Sequence, residues 1–187
     1  MTTTPRDRLL DAAGELFYRE GVGVGVDALC KAAGVSKRSM YLLFDSKDEL
    51  IAASLDRRAP DYDAALRPGD GGTPRERILH VFRAQDGLAA QPTYRGCPLV
   101  ATATELKDAD HPASAVARRH KQALTDFFAA EARAAGVADP DTLAAQLTVV
   151  FDGASARAVV RAEPLAGLGV ATATALLDAA GVVRSTP

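Results

Sequence analysis

Apolar residues recur every three to four positions along almost the whole chain, the period of a helix with one inward face. Leu9, Leu10, Ala13, Leu16 and Phe17 form the first stripe and predict a helix over about 6–20. Between 26 and 50 the stripes shorten. Ala28, Leu29, Ala32 and Ala33 predict a brief second helix with one apolar side. Gly34 follows at once, and a glycine there closes a helix with a left-handed cap. Val35 is expected in the angle before a third helix, for which Ser36 is a natural N-cap. Met40 and Phe44, four apart, face inward and leave Lys37, Arg38, Ser39, Tyr41 and Leu42 outside. About seven residues of helix span roughly 10 Å, close to the ~12 Å width of a DNA major groove. Two short helices joined by a glycine turn are the pattern of a helix-turn-helix. Ser46-Lys47-Asp48-Glu49 then reads as a capping box that opens a fourth helix running into the low sixties.

The rest of the chain reads as helix as well. Residues 67–74, RPGDGGTP, hold two prolines and three glycines and form the clearest linker. A fifth helix is expected over 75–90, broken at Gln91-Pro92-Thr93, and a sixth over about 96–107. The seventh starts at Pro112 and ends near Gly136; the eighth opens at Asp139-Pro140 and ends before Pro164. The ninth covers about 166–180 and stops at Gly181. No strand and no internal repeat are needed, so the fold class is all-α with about nine helices. Leu143, Leu147, Val150, Ala154 and Ala158 form one stripe of the eighth helix, and Val170, Ala173, Leu176, Leu177 and Ala180 one of the ninth. Two such helices from each of two copies make a four-helix bundle, which points to a homodimer; the same stripes also suit the core of one copy.

Composition narrows the class. The chain has 187 residues, room for one or two small domains, with 22 basic and 24 acidic residues and net charge −2. Residues 31–47 nevertheless hold Lys31, Lys37, Arg38 and Lys47 against Asp45 alone. By itself this local excess fits a solvated basic turn. No apolar run of about 18 residues occurs, so no spanning helix and no membrane partner is expected. The N-terminus lacks the apolar core of a signal peptide and reads as a frayed Thr-Pro lead into helix one. Cys30 and Cys97 lie far apart and imply no disulfide framework, compatible with a reducing cytoplasm. There is no Gly-x-Ser-x-Gly elbow, phosphate loop or His-Glu-x-x-His, so no enzyme and no cofactor are expected. GVGVG at 21–25 lacks the third glycine and the preceding strand of a dinucleotide loop and reads as an interhelix turn.

From Arg8 to Leu50 the chain resembles the DNA-binding domain of the TetR (tetracycline repressor) family of bacterial transcription regulators. The resemblance rests on Leu16-Phe17, Gly21, Leu29-Cys30, Ala33-Gly34-Val35-Ser36, Ser39-Met40-Tyr41, Phe44, Lys47 and Leu50. It implies a helix-turn-helix DNA-binding domain over 1–50 and a ligand-binding and dimerisation domain over 51–187. It implies a dimeric regulator, a repressor released from double-stranded operator DNA by a small molecule. Residues at the positions of Lys37, Arg38, Ser39 and Leu42 then face bases, and those at Tyr41 and Lys47 hold phosphate. The chain departs from the family at Gly25, often Thr or Ser, and at Leu43, often His, which weakens backbone contacts. Together with the helix-turn-helix spacing, the resemblance turns the basic turn toward a DNA surface. The alternative is a helical ligand-binding or protein-interaction module without DNA binding, for which Leu42 and Leu43 are the best support.

Residues 75–163 are the expected effector region, and the stretch beginning YRGCPLVATATEL resembles the C-terminal domain of one TetR-type group. Phe82, Leu99, Leu106, Leu124, Phe127, Phe128 and Phe151 are candidate walls; Cys97, Thr102, Glu105, His120 and Asp152 are candidate polar groups. The phenylalanines equally suit a plain core, and His120, in the basic run 118–121, a solvated surface. Cys97, near a helix N-terminus, also has the setting of a thiol sensor. No ligand spacing for a metal site appears.

Overall fold

The computed structural model describes residues 4–182. Nine helices and no strand are found among them: α1 Pro5–Glu20, α2 Val26–Ala33, α3 Lys37–Leu43, α4 Lys47–Leu66, α5 Pro74–Ala89, α6 Pro98–Leu106, α7 Pro112–Ala134, α8 Pro140–Arg161 and α9 Leu168–Ala179. The all-α expectation holds, with boundaries displaced by one to a few residues. Local chemistry sets several of the starts. Thr4 caps α1: its hydroxyl accepts from the Asp7 N–H, the Asp7 carboxylate accepts in return, and Pro5 takes the first helical position. The lead into α1 is thus closed by a capping box at Thr4; residues 1–3 of the expected frayed segment lie outside the described residues. Thr73, Pro74 and Glu76 repeat the device at α5, and Asp139 caps α8 by accepting from the Thr142 N–H.

The chain forms two compact units. One comprises the chain up to Asp61 together with Pro98–His120; the other comprises Tyr62–Cys97 and the chain from Lys121 onward. This division by compactness differs from the division expected at residue 50, because α6 and the first turns of α7 fold with the N-terminal helices.

In the first unit, Leu9, Leu10, Ala13, Leu29, Met40, Phe44 and Leu50 are buried. Ion pairs bind α1 to α4: Arg57 bridges Asp7 and Asp11, both at 2.9 Å, and Arg58 reaches Glu15. Asp56 of α4 faces Arg119 and His120 of α7 at 2.5 and 3.1 Å. Those hydrogen bonds, the one from His120 first, hold the Asp56 carboxyl below the usual carboxylate range.

The second unit is built on α5, α8, α9 and the rest of α7. Phe82 stacks on Phe128 with centroids 5.8 Å apart and meets Phe151 edge-on at 6.3 Å. Ile78, Leu143, Leu147, Ala173 and Leu177 complete this core. Of the two stripes expected at a dimer surface, Leu143, Leu147, Ala154 and Ala158 on α8 and Ala173 and Leu177 on α9 are buried within a single copy, and Val150, Val170, Leu176 and Ala180 are half-buried. α8 is also long and apolar enough to cross a membrane by length and composition, contrary to expectation; its apolar character comes from these core positions together with an exposed valine face.

Candidate nucleic-acid interface

The interface begins with how α2 ends. Gly34 sits at φ 62°, ψ 40°, the left-handed region, and its N–H returns to the carbonyls of Cys30 and Lys31. The Val35 N–H bonds to the Cys30 carbonyl at 3.0 Å, so the chain reverses within two residues. Ser36 then caps α3, its hydroxyl accepting from the Ser39 N–H at 3.0 Å. Leu29, Cys30 and Ala33 form the inner face of α2, and Ala28 and Ala32 are exposed, so the inner stripe is offset from the expected one. Burial, and secondarily the nearby Asp27 charge, pushes the Cys30 thiol above its usual pKa, as befits a packing residue. Gly25 caps α2 without a side-chain hydrogen bond.

Two α1 arginines brace this motif. The Arg8 Nε donates to the Ala33 carbonyl at 3.1 Å, and the Arg6 guanidinium lies over the Phe44 ring, 5.0 Å from its centroid. At the start of α4, the Ser46 hydroxyl accepts from the Glu49 N–H, and the Glu49 carboxylate accepts from the Asp45 N–H, one residue before the expected capping-box partner.

With Met40 and Phe44 buried, α3 turns its other residues outward. Lys37 and Arg38 are exposed, Ser39 is half-buried with its hydroxyl bonded to that of Ser36, and Lys47 is half-buried at the first position of α4. Tyr41 is 49% exposed and Leu42 77%. Lys37 is not free: its ammonium lies 3.1 Å from the Asp27 carboxylate on α2, whose hydrogen bond and charge raise the lysine pKa. The helix thus presents cations, a phenol and a bare leucine side by side.

The expected effector residues are engaged elsewhere in the fold. Phe82 and Phe151 are core, and Phe127 lies beneath the guanidinium groups of Arg67 and Arg77. Asp152 pairs with Lys121, whose ammonium sits 4.7 Å from the Phe151 centroid. His120 is not solvated, being half-buried against Asp56. Glu105, from α6, accepts hydrogen bonds from the N–H groups of Val22 at 3.0 Å and Gly23 at 3.3 Å, which ties α6 to the turn between α1 and α2. Thr102 is half-buried on the same helix, and Cys97 is buried just before it. Cys97, Phe82, Phe127, Phe151 and Asp152 belong to the second unit; Thr102, Glu105 and His120 belong to the first. Sequence reasoning passed over Gln85, a buried residue that donates to the Phe151 carbonyl and to the Ser155 hydroxyl. Its signal was one amide interrupting the apolar face of α5.

A helix-turn-helix whose second helix is exposed and cationic, at the head of an all-helical chain, defines a DNA-binding regulator. Comparison with known proteins gives the same class. Residues 9–54 match the model of the bacterial regulatory proteins of the tetR family. A solved protein of Streptomyces avermitilis, described as a TetR transcriptional regulator, is 58% identical over 95% of this chain and 98% of its own, with TM-score 0.91. A TetR-family regulator from Streptomyces coelicolor is 27% identical over 94% of this chain and 95% of its own, with TM-score 0.83. A helix-turn-helix transcriptional regulator of Mycobacterium tuberculosis is 36% identical over 81 residues, a match spanning 42% of this chain and 40% of that relative. The chain belongs to the TetR family of bacterial transcriptional regulators. Such regulators are DNA-binding proteins and not enzymes.

Proposed function

We propose that this protein is a dimeric, ligand-responsive repressor that a small molecule releases from its operator. The observation that carries the reading is the exposed face of α3, where Lys37, Arg38, Tyr41 and Leu42 stand outward on a helix of groove-matching length. Lys37, Arg38, Ser39 and Leu42 are assigned to the base-facing side of α3, Lys37 also to a phosphate within reach of its ammonium, while Tyr41 and Lys47 hold phosphate. Residues 1–50 are the DNA-reading part, and 51–187 bind effector and partner copy, in the cytoplasm.

Dimerisation is assigned to the apolar face that the core leaves uncovered. On α8, Val149 is 71% exposed and Val160 82%, with Val159 and, at the head of α9, Leu168 about half exposed. Ala145, Gly153 and Ala156 fill the same exposed strip with small residues that permit close helix approach. A two-fold dimer sets its two α3 helices about one DNA turn apart, roughly 34–36 Å or a multiple, so the operator is a near-palindrome. The effector is an apolar or amphipathic small molecule that enters the second unit between α5, α7 and α8, where it must open the packed core at Phe151 and displace the Lys121–Asp152 pair. It acts by preferring a state in which α4 swings and the two α3 helices part, and its leverage equals its differential affinity for the two states.

The test is selection of genomic fragments by the purified protein, followed by titration of a selected duplex at several salt concentrations. Binding that weakens steeply with salt supports the reading. Indifference to DNA at every ionic strength leaves the interaction-module reading in its place. With an inducer in hand, operator DNA must weaken inducer binding by the factor by which inducer weakens DNA binding.

A further inference from the structure

We infer that each operator half-site holds a thymine whose C5-methyl group packs on Leu42, about two base steps from a guanine read by Arg38; this rests on the DNA-binding reading above. Leu42 is 77% exposed, and among the described residues its only large hydrophobic companion of comparable exposure in the first unit is Tyr41, its neighbour on the same helix. A tyrosine there has a hydroxyl for phosphate, whereas a leucine has no hydrogen-bonding group at all. Of the groups displayed in the major groove, the one apolar feature is the thymine methyl. A leucine on the groove face can therefore discriminate thymine and nothing else in unmodified DNA. The setting argues for DNA over an apolar protein partner: Lys37 and Arg38 lie on the same seven-residue helix, which holds no acid, and across residues 31–47 four cations stand against Asp45 alone. Such a cationic surround complements phosphate.

Arg38 and Leu42 are four residues apart, so they share one helix face. Their separation along the axis is about 6 Å. At about 3.4 Å per base step, that is roughly two steps along a strand. Arginine placed on a base edge takes guanine O6 and N7 as a bidentate donor. The half-site signature is accordingly a guanine and a thymine about two steps apart, on either strand.

The test uses the full chain. Duplexes are first selected from a random pool, and the tightest is remade with each thymine in turn replaced by deoxyuridine, which removes the methyl alone. One position in each half-site should weaken wild-type binding about fourfold, as expected for one buried methyl-sized group. The same exchange should change binding by Leu42→Ala less than twofold. A guanine about two steps away, replaced by 7-deazaguanine, should weaken the wild type and not Arg38→Ala. Leu42 is so exposed that its truncation leaves the fold intact, and circular dichroism checks this. The inference is overturned if no thymine shows the effect, or if Leu42→Ala responds as the wild type does, the outcome expected were Leu42 meant for a protein partner. Failure to select any duplex overturns the DNA-binding reading with it, so the two failures are distinct.

Discussion

Removing the Glu105 carboxylate tests how α6 is joined to the helix-turn-helix. The side chain accepts two backbone hydrogen bonds, from Val22 at 3.0 Å and Gly23 at 3.3 Å, and among the described residues no side-chain donor repeats them. A hydrogen bond to a charged group contributes about 1.5–3 kcal/mol. The Gly23 contact is exposed and longer, so solvent replaces most of it; the Val22 N–H is partly buried and is not so readily rehydrated. Glu105→Ala should therefore cost about 1–3 kcal/mol locally, raising the exchange rate of the Val22 amide by roughly 5- to 150-fold, with 1.4 kcal/mol for each factor of ten. Hydrogen exchange read residue by residue is the assay, because it reports the turn and not the whole chain. Gly21 supplies the control. At φ 88° it would place an added Cβ 2.7 Å from Glu105 Oε1, so Gly21→Ala must displace the same carboxylate. The double variant should then cost less than the two single variants together, the backbone strain at Gly21 being what remains. Unchanged exchange at Val22 and Gly23 in Glu105→Ala, or strict additivity with Gly21→Ala, would refute the clasp.

Three further outcomes follow from the same geometry. Phe82→Ala empties a fully buried site between Phe128 and Phe151 and should cost about 3–5 kcal/mol in denaturant unfolding of the second unit. Ser36→Ala leaves the Ser39 N–H without its cap and should cost about 0.5–2 kcal/mol, seen as faster exchange across α3 with α1 unaffected. Asp56, held below its ordinary value first by His120 and then by Arg119, stabilises the fold above the unfolded carboxylate's titration and loses that contribution as pH falls through its lower folded value; Asp56→Asn should flatten the acid limb of a stability-versus-pH curve.

The helices and the helix-turn-helix were legible because they depend on local chemistry: the Gly34 cap, the Ser36 N-cap and the inward pair Met40 and Phe44 are each decided within four residues. The inner stripe of α2 was misjudged because alanine suits either face, so Ala28 and Ala32 carry no phase information, while Cys30 does pack inside. The dimer stripes were ambiguous for a related reason. α8 is apolar on two faces, and periodicity cannot say which meets its own core and which is left bare; Leu147 and Phe151 take the first role, Val149 and Val160 the second. Long-range partners were illegible altogether. Glu105 meets a turn 82 residues away, and nothing local to α6 marks it for backbone N–H groups.

The pair Asp27–Lys37 bears on how tightly this protein can hold DNA. In the free protein the Lys37 ammonium is occupied by a carboxylate 3.1 Å away, and both groups are largely exposed. A phosphate arriving at α3 must compete with that carboxylate for the lysine and also sit near its negative charge. Asp27→Asn removes both penalties at almost unchanged side-chain size, and Asp27 is exposed, so the buried face of α2 is left alone. It should tighten duplex binding and steepen the fall of log K with log salt by up to about one, the increment of one newly engaged phosphate. Lys37→Ala should lower the slope by a similar amount, and in that background Asp27→Asn should leave the slope unchanged. Fluorescence anisotropy on one selected duplex at four salt concentrations measures all of this. Weaker binding by Asp27→Asn would reverse the argument, showing that the carboxylate serves to aim Lys37 at the backbone, not to withhold it.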